Sequence, residues 1–237
     1  MSYRETLKEA GNAAGFTLSE KQLDQFTRYA EMLLETNKSL NLTAITDPEE
    51  VAVKHMVDSL LVYDPERFHN HTIVDVGTGA GFPGLPLKIY DPGMRVTLID
   101  SLQKRLNFLE QVVKDLGLGQ VRCTHARAED AGKDPALREK FDVAVARAVA
   151  ALPVLAEYCL PYVKVGGYFI SLKGPEVEQE IREAKNAVAT MGGKVEQVLH
   201  FSLPDDSGRS IVLIKKISHT PPSFPRTAAK MAKKPIL

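Results

Sequence analysis

The 237-residue sequence predicts an α/β fold: a mostly parallel seven-stranded sheet closed by an antiparallel hairpin, with a helical N-terminal extension. Three observations carry that expectation. Apolar residues recur at helical spacing through the first part of the chain. From residue 72 onward, five short β-branched runs alternate with helical stretches, the pattern of parallel strands joined by crossover helices on both faces. At the end, two β-rich runs flank Pro204-Asp205-Asp206-Ser207-Gly208, a turn that reads as a hairpin. The composition, 44% hydrophobic and 25% charged, excludes disordered and collagen-like chains, and the length suffices for one core plus an extension.

The elements follow in order. In residues 1–70, the extension, Ser19 and Gln22 form a capping box ahead of Leu23, Phe26, Tyr29/Ala30, Leu33 and Leu34. A second helix starts at Asp47 or Pro48 and runs through Val51, Val53, Met56, Val57 and Leu60. Residues 71–217 form the sheet domain, with strands over 72–76, 96–100, 121–125, 141–145 and 168–172. Helices are expected over 104–116, 151–160 and 177–191, and the hairpin strands over 194–203 and 210–217. Residues 218–237 read as a basic, weakly structured tail.

The formal charge is zero, with 30 basic and 30 acidic residues, so no global excess advertises nucleic acid. That average hides a segregation. No acidic residue follows Asp206, whereas Arg209, Lys215, Lys216, Arg226, Lys230, Lys233 and Lys234 do, leaving 23 basic against 30 acidic residues upstream. A positive end on a negative body can face an anion. Cys123 and Cys159 match neither a disulfide framework nor a zinc site and suit a reducing interior. The N-terminus lacks a signal peptide's apolar stretch, and Arg147, Pro153, Glu157 and Pro161 interrupt the most apolar region. The expectation is a soluble, cytoplasmic, monomeric protein with no metal and no membrane partner.

The densest signal is Val74-Asp75-Val76-Gly77-Thr78-Gly79-Ala80-Gly81-Phe82-Pro83-Gly84. A strand leads into glycines and then a helix, with Pro83 in its first turn. Glycines there let the backbone turn sharply and approach a ligand where a Cβ would collide. The loop lies at the carboxyl edge of the first strand, where open α/β sheets bind ligands. Asp100, ending the next strand, is placed to accept bonds from ribose hydroxyls, so an adenosine-like ligand is expected. Gly79-x-Gly81-x-x-Gly84 formally satisfies the dinucleotide fingerprint. Read from Gly77, directly after the strand, the pattern is instead G-x-G-x-G, and Phe82 occupies the third dinucleotide glycine.

This compact form resembles motif I of S-adenosylmethionine (SAM) methyltransferases, and the hairpin resembles the last two strands of that Rossmann-like class I fold. Ala128-Glu129, after the third strand, sit where that fold's adenine loop would lie; a solvated loop carboxylate is the other reading of Glu129. A purely structural turn and an NAD-dependent oxidoreductase stay open, although the latter would need a glycine at Phe82 and a second substrate domain.

The acceptor is narrowed by absences. Methylating cytosine C5 needs a cysteine nucleophile after the fourth strand, where this chain has Ala146-Arg147-Ala148-Val149-Ala150. The Asn/Asp-Pro-Pro-Tyr clamp of exocyclic-amine methyltransferases is also missing. A ring nitrogen such as guanine N7 has a free lone pair and no proton, so in-line placement can suffice without a general base. A small molecule or another RNA as acceptor, and a non-catalytic SAM- or RNA-binding module, remain alternatives.

A longer series of residues then matches one family. Asn41-Leu42-Thr43-Ala44-Ile45, His55-x-x-Asp58-Ser59-Leu60, the glycine loop with its Phe82-Pro83-Gly84, Asp100-Ser101 with Lys104-Arg105, Arg127-Ala128-Glu129, Ala146-Arg147-Ala148 and Lys173-Gly174 occur in order. The chain resembles the RsmG family, also called glucose-inhibited division protein B, of bacterial 16S rRNA guanine-N7 methyltransferases. The resemblance implies a SAM site at Gly77, Gly79, Phe82, Asp100, Ala128, Glu129 and Arg147. It also implies a guanine in the decoding region of 16S rRNA, free or in the 30S particle, as substrate. The C-terminus departs from the family's Tyr-Pro-Arg-x-x-Gly: here it reads Phe224-Pro225-Arg226-Thr227-Ala228-Ala229, without the turn glycine.

Arg147 has two readings, orientation of cofactor or guanine, and a salt bridge to a neighbouring carboxylate. His55 and Asp58 lie one turn apart on the second helix. His55, Arg209, Arg226, Lys230 and Lys233 are the candidate RNA contacts, with a solvated charge run as the alternative for the tail.

Overall fold

A computed structural model describes residues 2–237. In the extension, α1 (Tyr3–Ala13) and α2 (Glu20–Leu40) each open on a serine capping box, Ser2 with Glu5 and Ser19 with Gln22. Of the expected stripe on α2, Leu23, Phe26, Tyr29, Ala30 and Leu33 are buried and Leu34 is half-buried. The second helix starts at Pro48 with Asp47 as N-cap, but it is not uniform. α3 (Pro48–Val51) widens into a π-helical stretch, Ala52–Val57, and tightens again in α4 (Asp58–Leu60). Apolar spacing does not announce that change. Such stretches concentrate at functional sites, and this one carries His55 and delivers Asp58. The short α5 (Pro65–Phe68) completes the extension.

The sheet domain then alternates. β1 (Thr72–Val76), α6 (Gly84–Tyr90), β2 (Arg95–Asp100), α7 (Gln103–Asp115), β3 (Val121–His125), α8 (Ala128–Ala131) and β4 (Phe141–Arg147) lead to α9 (Leu152–Cys159) and β5 (Val163–Lys173). α10 (Glu178–Thr190), β6 (Gly193–Ser202) and β7 (Gly208–Lys216) close it. The strand order is β3-β2-β1-β4-β5-β7-β6, with β7 antiparallel to both β5 and β6 and the other pairs parallel. Winding reverses between β1 and β4, which opens a crevice beyond their carboxyl ends.

Successive strand residues feed opposite faces of the sheet. On one face, Phe26, Leu33, Met56 and Leu60 of the extension share a single cluster with Ile73, Leu98, Leu109 and Ile170. On the other, Val74, Val76 and Phe169 pack with Leu155, Tyr162 and Val188. The extension is therefore continuous with the core of the sheet. Among the described residues no helix is long and apolar enough to cross a membrane.

The tail corrects the expectation of weak structure. Arg138 donates to the carbonyls of Thr220, Pro221 and Phe224, strapping the segment to the body. It then enters α11 (Ala228–Lys233), with Met231 buried. Ala229 lies inside that helix, where no turn glycine is required. The anchoring partners are distant in sequence, so the tail's own composition conceals them.

Candidate active site

A cavity of about 710 Å³ opens beyond the carboxyl ends of the central strands. Its floor is the glycine loop, and Asp75 shapes that loop. The carboxylate is buried; its Oδ2 accepts the Thr78 hydroxyl at 2.7 Å and the Gly84 N–H at 2.9 Å. A Cβ at Gly84 would sit 2.8 Å from the same oxygen, so the acid and the glycine fit only each other. Oδ1 has no partner, and burial pushes the Asp75 carboxyl up to about 6. Across the loop, the Tyr29 hydroxyl donates to the Ala80 carbonyl at 2.5 Å. Gly81 has φ +105°, and a Cβ there would lie 2.4 Å from that hydroxyl. Thus α2 of the extension clamps the loop.

Asp100 is buried and largely occupied. Oδ2 accepts the Gly79 N–H at 2.9 Å and Arg105 Nη1 at 3.4 Å, and Oδ1 accepts the Leu102 N–H at 2.9 Å. A carboxylate has about four lone-pair positions, so one, on Oδ1, remains for a ligand hydroxyl. Beside it, Ala126, Arg127, Ala128 and Glu129 form a wall. The Tyr162 hydroxyl holds the Ala128 carbonyl at 2.6 Å. Glu129 is only 6% exposed and accepts the Ala228 N–H at 3.3 Å, so it is not a solvated loop acid.

The opposite wall is a hydrogen-bonded chain. Asn37 grips both the N–H and the carbonyl of Thr43 at 2.9 Å. Thr43 Oγ1 lies 2.7 Å from His55 Nε2, and His55 Nδ1 lies 3.2 Å from Arg147 Nη2. A guanidinium only donates, so Nδ1 accepts and the imidazole proton belongs on Nε2, toward Thr43. Burial, reinforced by the Arg147 charge, pushes His55 down to about 3. Arg147 Nη1 in turn donates to Asp58 Oδ2 at 2.7 Å, and Arg209 Nε donates to Asp58 Oδ1 at 2.7 Å.

Gly77, Gly79, Phe82, Asp100, Ala128, Glu129, Arg147, His55 and Arg209 therefore all line one cavity. The salt-bridge reading of Arg147 holds, and that salt bridge is part of the cavity wall. Phe82 is buried, stacked against His55 at 4.5 Å and Tyr29 at 5.5 Å, with the Arg147 guanidinium 4.8 Å over its ring. It packs the wall and offers no open face.

Two of the proposed RNA contacts, His55 and Arg226, need correction. His55 is neutral and bonded at both nitrogens, so it brings no charge to a phosphate. Arg209 lines the cavity and gives Nε to Asp58 and Nη1 to the Gly208 carbonyl, which leaves its Nη2 without a partner among the described residues. Arg226 lies off the cavity, spent on Glu157, which is 1% exposed and receives its backbone N–H at 2.7 Å and Nη2 at 2.7 Å. Lys216, a further cation of the basic end, closes β7 and is fully buried on the Leu160 carbonyl and Thr220. Lys230 and Lys233 are exposed, with no ion pair among the described residues.

Sequence reasoning missed Asp75, Tyr29 and the Thr43 link. Asp75 did carry a signal, an acid between two apolar strand residues, whereas Tyr29 is one member of an ordinary helix stripe. Among the described residues no group of His, Cys, Asp and Glu could hold a metal ion.

Comparisons with known proteins agree with this architecture. The family model described as rRNA small subunit methyltransferase G matches residues 22–211. The chain is 51% identical to a ribosomal RNA small subunit methyltransferase G of Lactobacillus johnsonii, over 94% of this chain and 95% of that one. It is 52% identical to one from Exiguobacterium sp., covering 97% of each. Among solved structures, TrmN from Thermus thermophilus shares the fold with a TM-score of 0.52 and 16% identity, over 68% of this chain and 48% of that one. Aeropyrum pernix fibrillarin with natively bound S-adenosyl-L-methionine gives a TM-score of 0.50 at 17% identity, over 67% and 72%.

Proposed function

Because the chain belongs to the rRNA small subunit methyltransferase G family, we propose that it transfers a methyl group from SAM to N7 of one guanine in the decoding region of 16S rRNA. The observation that carries this reading is the cavity in which the glycine loop and Asp100 face Arg147. Cys123 and Cys159 are not among its lining residues.

The cavity fits SAM on its own geometry. A Cβ at Gly79 would meet nothing closer than 4.0 Å, so that side of the loop is free for a ligand. Asp100 keeps one lone pair for a ribose hydroxyl, and Ala128 and Glu129 offer a wall for the base. When bound, SAM supplies an electrophilic methyl group on a sulfonium.

This chain supplies placement. Guanine N7 carries an in-plane lone pair and no proton, so an in-line approach needs no general base. His55 supports that view: its accepting nitrogen is taken by Arg147, and its basicity is suppressed. Arg147 retains Nε–H and one Nη2–H beyond its internal bonds. A donor on guanine O6 holds the base while leaving N7 open, which is the task assigned to those hydrogens. Unstacked loop bases can enter such a pocket, unlike bases within an A-form helix.

The test gives the protein labelled SAM with naked 16S rRNA and with 30S particles from cells lacking it, and maps label by borohydride–aniline cleavage at 7-methylguanosine. Label at one guanine is expected. Bound SAM with no RNA label would shift the acceptor to a small molecule.

A further inference from the structure

The N-terminal helices reach the centre of the cavity through one side chain. Asp58, 4% exposed, is the first residue after the π-helical stretch, and it bridges two arginines that the sheet delivers from different strands. Arg147 ends β4 and Arg209 lies in β7; each donates to its own Asp58 oxygen at 2.7 Å. Two guanidiniums share one carboxylate, and the adjacent His55 is neutral, so the cluster keeps a net positive charge. The Arg147 and Arg209 side chains are only 14% and 23% exposed, and both line the cavity. Arg209 Nη2 has no partner within the described residues, and Arg147 keeps the two N–H groups counted above.

A guanidinium is a planar fork, so fixing one edge fixes the direction of the rest. An arginine pinned only by packing would swing through several rotamers. We propose that Asp58 is the positioning residue of the acceptor half: it locks Arg147 and Arg209 side by side so that their unspent donors form one oxygen-binding edge, for guanine O6 and a flanking phosphate of the RNA. Each Asp58 oxygen is held by one of the two arginines, so its part is to place them. The inference rests on the RNA reading above, and it gives the extension a role: α3, the π-helical stretch and α4 are the acceptor-side wall of the site. The widened backbone takes part directly, since the Lys54 carbonyl accepts Arg147 Nη1 at 3.3 Å.

The experiment compares Asp58→Asn, Arg209→Gln and the double variant with the unmodified protein. It reads SAM affinity by calorimetry, kcat and KM on 30S particles, and thermal melting. In Asp58→Asn, kcat/KM for the particle should fall about 100-fold, the scale of a mispositioned group, with SAM affinity within about threefold. Arg209→Gln should raise KM about 10-fold with little change in kcat, because the Asp58–Arg147 pair remains. The double variant should be no worse than Asp58→Asn alone, since both act through one cluster.

Multiplicative losses, or a loss of SAM affinity matching the loss of kcat/KM, would overturn the proposal. Asp58→Asn that methylates particles normally would do so too. Should that variant fail to fold, Arg209→Gln decides alone: an unchanged KM rejects the shared edge. If the unmodified protein labels no guanine, the functional reading fails and the clamp is not at issue.

Discussion

The two ends of the cavity are built by bonds of very different reach. In the cofactor half, Asp75 bonds Thr78 three residues away and Gly84 nine residues away, and the strand, turn and helix close on themselves. In the acceptor half, Arg147 meets Asp58 across 89 residues and Arg209 meets it across 151. The loop also needs β2 beside it, since Gly77 and Thr78 donate to the Ile99 carbonyl and Gly79 to Asp100. The acceptor wall exists only once β7, the penultimate strand of the sheet order, is in place beside the extension. The glycine loop is thus shaped chiefly by its near neighbours, whereas the Arg147–Asp58–Arg209 cluster is a property of the finished fold.

The strongest way to break this division is to damage the long-range clamp on the glycine loop, Tyr29 on Ala80. Gly81→Ala puts a Cβ 2.4 Å from the Tyr29 hydroxyl at φ +105°. Strain and overpacking together should cost about 3 kcal/mol or more of stability. SAM affinity should fall with it, read by denaturant melts and calorimetry. A normal melt would mean that α2 yields, and that the loop is held from within.

Arg147→Ala tests the other half. Losing that donor set should lower kcat/KM about 100-fold while most of the SAM affinity survives. It also removes a cation from beside His55. The His55 titration, now pushed to about 3 by burial first and Arg147 second, should move up but stay below its ordinary value of 6.5. Proton NMR of the imidazole reads this directly, and an unmoved titration would mean that the two groups are not coupled.

Asp75 shows that local closure has a cost. Its carboxyl is raised from 3.8 to about 6 by burial, so the folded state holds the proton that the unfolded chain releases. Folding therefore takes up a proton in that window, and the stability present below pH 3.8 is lost as pH rises toward 6. The span is on the order of 3 kcal/mol. Asp75→Asn should flatten the melting profile between those values. A profile as steep as before would assign the slope to another acid.

The same difference in reach explains what the sequence disclosed. The strands, the capping box at Ser19, the glycine loop and Asp100 are each announced within a few residues, and each stands where its spacing predicts. Even there, Asp100 proved to be chiefly a clamp on Gly79 and Leu102, because spacing does not reveal which lone pairs the protein uses itself. Residues of the acceptor wall could be named, but not paired. No local rule ties His55 to Arg147, Asp58 to Arg209 or Arg226 to Glu157, since tertiary folding alone makes them neighbours. The π-helical stretch was equally silent, because its apolar spacing passes for that of an ordinary helix.

The tail gives the smallest effect and the finest discrimination. Charge counting treats its cations alike, yet Arg226 is sealed onto a buried acid while Lys230 and Lys233 stand in solvent on α11. Only cations that release counterions from RNA contribute to the salt dependence of binding. Lys230→Ala and Lys233→Ala should each lower the slope of log affinity against log salt by about one and weaken 30S binding a few-fold at most. SAM affinity should not change. Arg226→Ala should behave differently, lowering the melting temperature by leaving the buried Glu157 without its guanidinium. Because the tail also holds Glu129 through the Ala228 N–H, that variant should weaken SAM binding as well. If the two lysine variants leave the salt slope intact, α11 is a strap over the cofactor half and nothing more, and the phosphate-binding charge must lie at the cavity rim, where Arg127 is exposed and unpaired among the described residues.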